Sequence, residues 1–218
     1  MGEVEIIFEK QQLLIHSVFF FYGDAASEEL SWQIALDVQS HWNEGNGKTR
    51  IKNQMLDVIF SIKGIWSPDL TPLMVYENTD PRNNYFRVEE FATGNISFVD
   101  AINCNTGYFK LENLLNNSTT AAHEYGHTIG LVHPSNLDIR GHGVPGIMYP
   151  RGTLVDPSFQ YYPDVKPGEK GGTLNPFTRK VLATDIDHLK LHRLSFNTHG
   201  FAVLGDFTSV WHDKHLPG

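Results

Sequence analysis

A mixed fold of the α+β or α/β class is predicted from three observations on the sequence. Apolar runs of strand length alternate with segments of helical period, in the order strand, helix, several strands, helix, loop and helix. At 218 residues the chain is long enough for one domain with a full core, so a single domain over 1–218 is expected. Its composition, 40% hydrophobic and 19% charged, is typical of a globular protein.

The first part of the chain predicts a strand, a helix and a second strand. Residues 13–23, LLIHSVFFFYG, form the most apolar run and predict a buried strand. An amphipathic helix is predicted over 26–45, with Ser27 as N-cap and Gly45 as stop. Its apolar residues recur at every fourth position: Leu30, Ile34, Val38 and Trp42. Residues 55–66, MLDVIFSIKGIW, predict a second strand with alternate residues on one buried face.

Three shorter strands complete a predicted sheet of five strands. They are expected at YFRVEEF, NISFVDAIN and GYFKLEN, which are residues 85–91, 95–103 and 107–113. A second helix holds the sequence TTAAHEYGHTIGLVHP, and the Gly- and Pro-rich stretch 134–176 after it predicts a long loop. One last long helix is expected over 175–192, with an apolar face made of Phe177, Val181, Leu182, Ile186 and Leu189.

Charge and apolar content exclude two classes of partner. The chain has 17 basic and 25 acidic residues, a net charge of −8, which excludes a broad nucleic-acid surface. The sequence contains no run of eighteen apolar residues, so neither a transmembrane helix nor a membrane partner is expected. The one cysteine, Cys104, cannot form an intrachain disulfide and is interpreted as a small buried apolar side chain rather than a thiolate ligand. A monomer is expected.

The spacing of three histidines, two in the second helix and one after it, predicts a metal site. His123 and His127 are four residues apart, so on a helix they share one face and can both reach one ion. Gly130 can take a positive φ, end the helix and turn the chain, so that His133 returns as a third nitrogen ligand. Three protein ligands leave the fourth position of a tetrahedral ion open, as a catalytic zinc site requires. Glu124 adjoins the site without being a ligand.

These residues resemble the metzincin clan of zinc metalloendopeptidases. The match is HEYGHTIGLVH (123–133), and GIMYP (146–150) resembles the tight methionine turn of that clan, most closely its matrixin version. The resemblance implies a zinc-dependent endopeptidase with one catalytic Zn²⁺ and a protein or peptide substrate. It also implies a twisted mixed five-stranded sheet with two helices above a zinc cleft, in an N-terminal subdomain (1–133). A C-terminal subdomain (134–218) would hold the methionine turn and one long helix.

The resemblance also gives roles to single residues. Glu124 would act as general base on a zinc-activated water, and Met148 would form an apolar floor under the imidazoles. Tyr149 is either a structural residue or a zinc ligand or oxyanion donor, with Tyr161 and Tyr162 as alternatives for that hydroxyl. Pro150, Arg151 and Gly152 would form the wall of the pocket for the residue after the cut. The strand that borders the cleft would contribute Ile96, Phe98 and Asp100 as an edge for the substrate.

Some features depart from the matrixin pattern. His133 and Met148 are 15 positions apart, several more than in typical matrixins, and neither a cysteine-switch segment nor a second zinc-binding histidine loop is found. Calcium is left open. His142, His188 and His192 are interpreted as loop, surface or packing residues.

No signal peptide is visible in the chain, but secretion, alone or as part of a larger secreted protein, is the expected localisation. Two alternatives remain: a protease toxin or effector domain of a larger secreted protein, and a non-catalytic zinc-binding interaction domain. The intact Glu124 argues against the second, because its loss is the simplest way to abandon catalysis.

Overall fold

A curled mixed β-sheet organises the chain in the computed structural model, which describes residues 1–216. Within these residues the sheet has eight strands. The strands are β1 (Gly2–Ile7), β2 (Gln12–Tyr22), β3 (Lys48–Ile51), β4 (Gln54–Trp66), β5 (Asn83–Glu89), β6 (Phe98–Val99), β7 (Thr106–Lys110) and β8 (Phe201–Leu204). The α-helices are α1 (Glu28–Glu44), α2 (Pro72–Tyr76), α3 (Thr120–Thr128) and α4 (Ala183–His188).

Strand β2 lies at the centre of the sheet. It runs parallel to β4 on one side, with Ile15 opposite Phe60. On the other side its first half pairs antiparallel with β1 and its second half pairs parallel with β5. The strand order is β3-β4-β2-β5-β7-β6, with β8 beside β1. The antiparallel strand β6 therefore forms one edge of the sheet.

Helix α1 packs between the sheet and α3, the helix that carries two of the histidines. The Ser27 side chain accepts a hydrogen bond from the Leu30 amide, so the predicted N-cap is confirmed, and the helix ends before Gly45 as predicted. The helix packs on β4 and α3, and Trp42 lies fully buried between them. The indole Nε1 donates to the carbonyl of Ala122 at 3.1 Å, which fixes the position of α3 against the core.

The prediction of a mixed fold is confirmed, whereas the prediction of five strands is wrong. The expected strands appear as β2, β4, β5, β6 and β7, and the structure adds β1, β3 and β8. The added strands are four to six residues long, and they pair either with a distant segment or through a tight turn that the apolar pattern does not reveal. The strand expected at 95–103 shrinks to Phe98–Val99, because Asn95 and Asn103 at its ends take left-handed backbone conformations (φ 56° and 69°).

The prediction of one long last helix is also wrong. The segment 175–192 contains a 3₁₀ turn at Pro176–Thr178, the six-residue α4 and a 3₁₀ turn that begins at Leu191. Between the first two, the backbone is extended at Arg179, and the Lys180 amide donates to the Pro145 carbonyl at 3.0 Å instead of a helical partner. The loop expected over 134–176 is confirmed, with one 3₁₀ turn at Pro157–Phe159.

Residues 211–215 pack on the sheet near β6. The His215 ring stacks on Tyr108 with ring centroids 3.9 Å apart, and Trp211 stacks on Tyr22 at 4.8 Å. Over residues 1–216, no helix has the length and apolar character that crossing a membrane requires.

Candidate metal centre

Helix α3 and the turn after it bring three histidines together. His123 and His127 lie on the buried face of α3, and His133 is exposed on the returning chain. Gly130 makes the return possible, since its φ is +103° and a Cβ there would come within 2.7 Å of the Asn103 side-chain oxygen. The Asn103 amide donates to the His127 carbonyl at 2.8 Å, which satisfies a carbonyl at the helix end.

The Nε2 atoms of the three histidines converge. His133 Nε2 lies 3.0 Å from that of His123 and 3.1 Å from that of His127. A tetrahedral ion bound at about 2.0–2.1 Å separates its nitrogen ligands by roughly 3.3 Å, so the observed spacing is close to that of a metal site. This group is the one set of three metal-ligating side chains found among residues 1–216.

Two backbone carbonyls orient the helical histidines. Nδ1 of His123 lies 2.7 Å from the Ile147 carbonyl, and Nδ1 of His127 lies 2.7 Å from the Leu131 carbonyl. A carbonyl only accepts, so in the tautomer that donates to it from Nδ1 each ring presents a lone pair at Nε2, which is the form that binds a metal. A neutral His133 has one ring proton, so it can donate a hydrogen bond to the Nε2 atom of His123 or of His127 but not to both. A cation at the centre would satisfy all three nitrogens, so the donor set fits a metal ion.

The charge state of the cluster also suits a metal. Burial lowers the pKa of His123 well below its usual range, and the nearby Arg179 acts in the same direction. Burial likewise lowers the pKa of His127 and His133. The rings are therefore neutral at pH 7, which is the form that binds metal ions. The structure thus identifies a group that could hold a metal ion, whose identity it leaves open.

Glu124 lies beside the three nitrogens but is not one of the converging ligands. Its side chain lines the cavities next to His123 and His133 and is partly exposed. Burial raises the pKa of Glu124 to about 7, while Arg179, the Val99 backbone and Arg151 act in the opposite direction. A carboxyl group with a pKa near neutrality can both accept and return a proton.

Met148 lies directly beneath α3. Its side chain is 3% exposed, and a Cβ added at Gly126 would come within 2.3 Å of its sulfur. The residue before it, Ile147, supplies the carbonyl that orients His123. The turn 146–150 therefore supports the cluster from below, through one apolar contact and one hydrogen bond.

Tyr149 lies in the turn 146–150 that supports the histidines. Its ring packs against the small buried cluster of Ile139, Val155 and Leu174, and its carbonyl accepts a hydrogen bond from Arg179 Nη1 at 3.1 Å. Tyr161 and Tyr162, the alternative hydroxyl donors, are exposed in the long loop.

The residues expected to border a substrate are only partly gathered at the cluster. Pro150 and Arg151 line a cavity beside the histidines, whereas Gly152 is not among its lining residues. Ile96 lines the same cavity and is 53% exposed. Phe98 lines a neighbouring cleft of about 420 Å³ that runs between β6 and the histidines.

The remaining predicted edge residue, Asp100, is engaged inside the protein. Its carboxylate accepts a hydrogen bond from the Thr106 hydroxyl and lies 2.9 Å from His212 Nε2. These contacts tie it to β7 and to His212 rather than to the cleft.

Sequence reasoning missed Arg179, the buried cation beside the cluster. The residue is 5% exposed, and its Nε donates to the Thr119 hydroxyl at 3.0 Å. Nη1 also lies 2.8 Å from His123 Nδ1, but both nitrogens carry protons in the tautomer described above, so the Tyr149 carbonyl is its acceptor. The helical apolar pattern of this segment gives no sign of it, because the burial of Arg179 depends on its contacts with Thr119 and Tyr149.

The other candidate side chains lie outside the cluster. His142 and His188 line a cavity of about 660 Å³ that His133 also borders, and both are exposed. Cys104 is buried, as predicted, and its thiol donates to the Thr106 carbonyl at 3.3 Å.

The chain matches no protein-family model, and neither curated proteins nor solved structures give a significant match to it.

Proposed function

We propose that this protein is a zinc-dependent metalloendopeptidase. The observation that supports this proposal most is the convergence of three histidine Nε2 atoms at an open cleft, with the carboxyl group of Glu124 beside them. The resemblance of 123–133 and 146–150 to the metzincin motifs points to the same activity. Three histidine ligands with an open fourth position are the arrangement of a catalytic rather than a structural zinc site.

Each residue of the site has a part in the proposed mechanism. When bound, zinc supplies a Lewis acid that polarises the scissile carbonyl and acidifies a water molecule. Ile147 and Leu131 hold the imidazoles of His123 and His127 in the orientation that ligation needs. The Glu124 carboxylate takes up the proton of the attacking water on one of its oxygens and then gives it to the leaving amine.

The cleft between β6 and the histidines would hold the peptide. Strand β6 is a sheet edge that pairs with β7 on one side, and this supports an extended substrate along its other side. Phe98 and Val99 line the cleft together with Glu124, which supports this position for the substrate.

The test is to measure zinc content and cleavage of an unfolded protein such as casein for the parent, Glu124→Gln and His127→Ala. The parent is expected to bind one zinc ion and to cleave, with cleavage lost on chelation and restored by zinc. Glu124→Gln is expected to keep its zinc and lose about 10²–10⁴-fold in rate, because only the proton acceptor is removed. His127→Ala is expected to lose both.

Glu169→Gln provides the matched control, since Glu169 is exposed in the long loop and should not affect cleavage. If Glu124→Gln cleaves as fast as the parent, the assignment of the base is wrong. One bound zinc without cleavage of casein or of a diverse peptide mixture would refute the endopeptidase and favour a binding domain.

A further inference from the structure

The cavity bounded by Pro150 and Arg151 is unusual in its charge. It has a volume of about 190 Å³. His123, Glu124 and His133 contribute to its lining, so it opens directly at the metal cluster. Two guanidinium groups, those of Arg151 and Arg179, line it together with one carboxyl group.

Arg179 is a buried cation without an acidic partner among residues 1–216. None of the ion pairs in that part of the chain involves it. Its hydrogen bonds go to the Thr119 hydroxyl and the Tyr149 carbonyl, both neutral, and Nη2 makes none with those residues. A buried charge is normally paired, because removing it from water without a counter-charge is costly.

Arg179 carries its charge at neutral pH, because a guanidinium group is not deprotonated in proteins. The nearby Glu124 is too distant for an ion pair with it, so the two guanidinium groups leave the cavity with a positive charge.

We propose that this cavity binds a carboxylate carried by the substrate residue next to the scissile bond. The proposal rests on the function proposed above and gives it a substrate class: peptides with an acidic group beside the cleaved bond. Arg179 offers a rigid donor held by Thr119 and Tyr149, and Arg151 offers a second donor from the exposed rim. The carboxylate belongs either to an Asp or Glu side chain or to the free end of the peptide.

The experiment compares peptides that are identical except beside the cleaved bond, where they carry Asp, Asn, Glu, Gln or Lys. The zinc-loaded parent is expected to cleave the acidic peptides at least about tenfold more efficiently, in kcat/KM, than their amide isosteres. A second pair of peptides, with free and amidated C-termini at that position, separates the two sources of carboxylate. A preference for the free end alone assigns the cavity to the terminal carboxylate.

Arg151 is the first position to change, because its side chain is exposed and its replacement should leave the fold intact. Arg151→Gln is expected to reduce the preference for acidic peptides several-fold. Arg151→Glu is expected to abolish that preference and to increase kcat/KM for the Lys peptide. Arg50→Gln is the matched control, since Arg50 is exposed on β3 at the opposite end of the strand order from β6.

Equal cleavage of the Asp and Asn peptides by the parent would overturn the inference and leave the protease assignment standing. If the parent binds zinc but cleaves nothing, the protease assignment fails, and peptide binding measured by fluorescence anisotropy then decides the inference. A tenfold tighter binding of the Asp peptide, lost in Arg151→Glu, would support it. Equal binding of the Asp and Asn peptides would overturn it.

Discussion

The contact between Gly126 and Met148 predicts that Gly126→Ala destabilises the parent protein but stabilises a variant in which Met148 is replaced. Gly126 lies inside α3, between the two helical histidines, and Met148 lies beneath it in the main core. Replacing Gly126 by Ala adds one methyl group to a helix interior. In an unobstructed helix this change stabilises by about 1 kcal/mol.

Here the methyl group meets the thioether. The new Cβ would lie 2.3 Å from the sulfur and 3.3 Å from the Trp42 ring. The sulfur must retreat by about 0.7 Å to reach the 3.0 Å that marks the lower limit of real contacts, and overpacking of this kind costs about 1–3 kcal/mol. Gly126→Ala is therefore expected to destabilise the parent by up to about 2 kcal/mol.

In a Met148→Ala background the same substitution should be favourable. That change alone costs about 2–5 kcal/mol by opening a cavity. The methyl group added by Gly126→Ala would then enter the vacated space, and the gain in helix propensity of about 1 kcal/mol would remain. The coupling between the two sites is expected to be about 1–3 kcal/mol.

The assay is urea unfolding of the parent, both single variants and the double variant, followed by fluorescence in the presence of a chelator. The chelator removes any contribution of a bound metal to the free energy of unfolding. If Gly126→Ala has the same effect in both backgrounds, the methionine does not pack against this glycine and the reasoning is refuted.

Three further predictions concern metal binding, packing and pH. Zinc at a free concentration 1,000 times its Kd should stabilise the protein by about 4 kcal/mol, or roughly 8–16 °C in Tm, and a thermal scan of His127→Ala should show no such shift. Gly64→Ala should cost about 3 kcal/mol in urea unfolding, because its Cβ would lie 2.0 Å from the Ser31 carbonyl, whereas Gly152→Ala, with nothing within 4 Å, should change little. Burial raises the pKa of Asp185, so the unfolded chain loses that proton first. The free energy of unfolding should consequently fall as pH rises above 3.8 until the folded-state pKa is passed; unfolding titrations of Asp185→Asn should lack this decline.

Local patterns in the sequence predicted the elements that bury a long apolar face. The spacing of Ser27 and Gly45 gave the limits of α1, and the alternation over 55–66 gave β4 within one residue. The three histidines were found because their spacing is a property of one helix and one turn. These features depend on neighbours in sequence, which a pattern can record.

What could not be predicted depends on contacts between distant segments. Strand β8 forms only because β1 offers it an edge two hundred residues away. The segment around Arg179 has a helical apolar pattern, yet its backbone is extended because Lys180 pairs with Pro145 and the guanidinium turns inward to Thr119. Side-chain propensity gives no sign of such tertiary partners.

The shortness of β6 limits how much the length of a peptide substrate can contribute to its binding. Two residues offer few free amide and carbonyl groups, and each backbone hydrogen bond contributes only about 0.5–1.5 kcal/mol. Extending a peptide along this edge should therefore add little affinity. Short reporter peptides should then be cut about as efficiently as long unfolded chains, and selectivity among them should follow side-chain chemistry rather than extent.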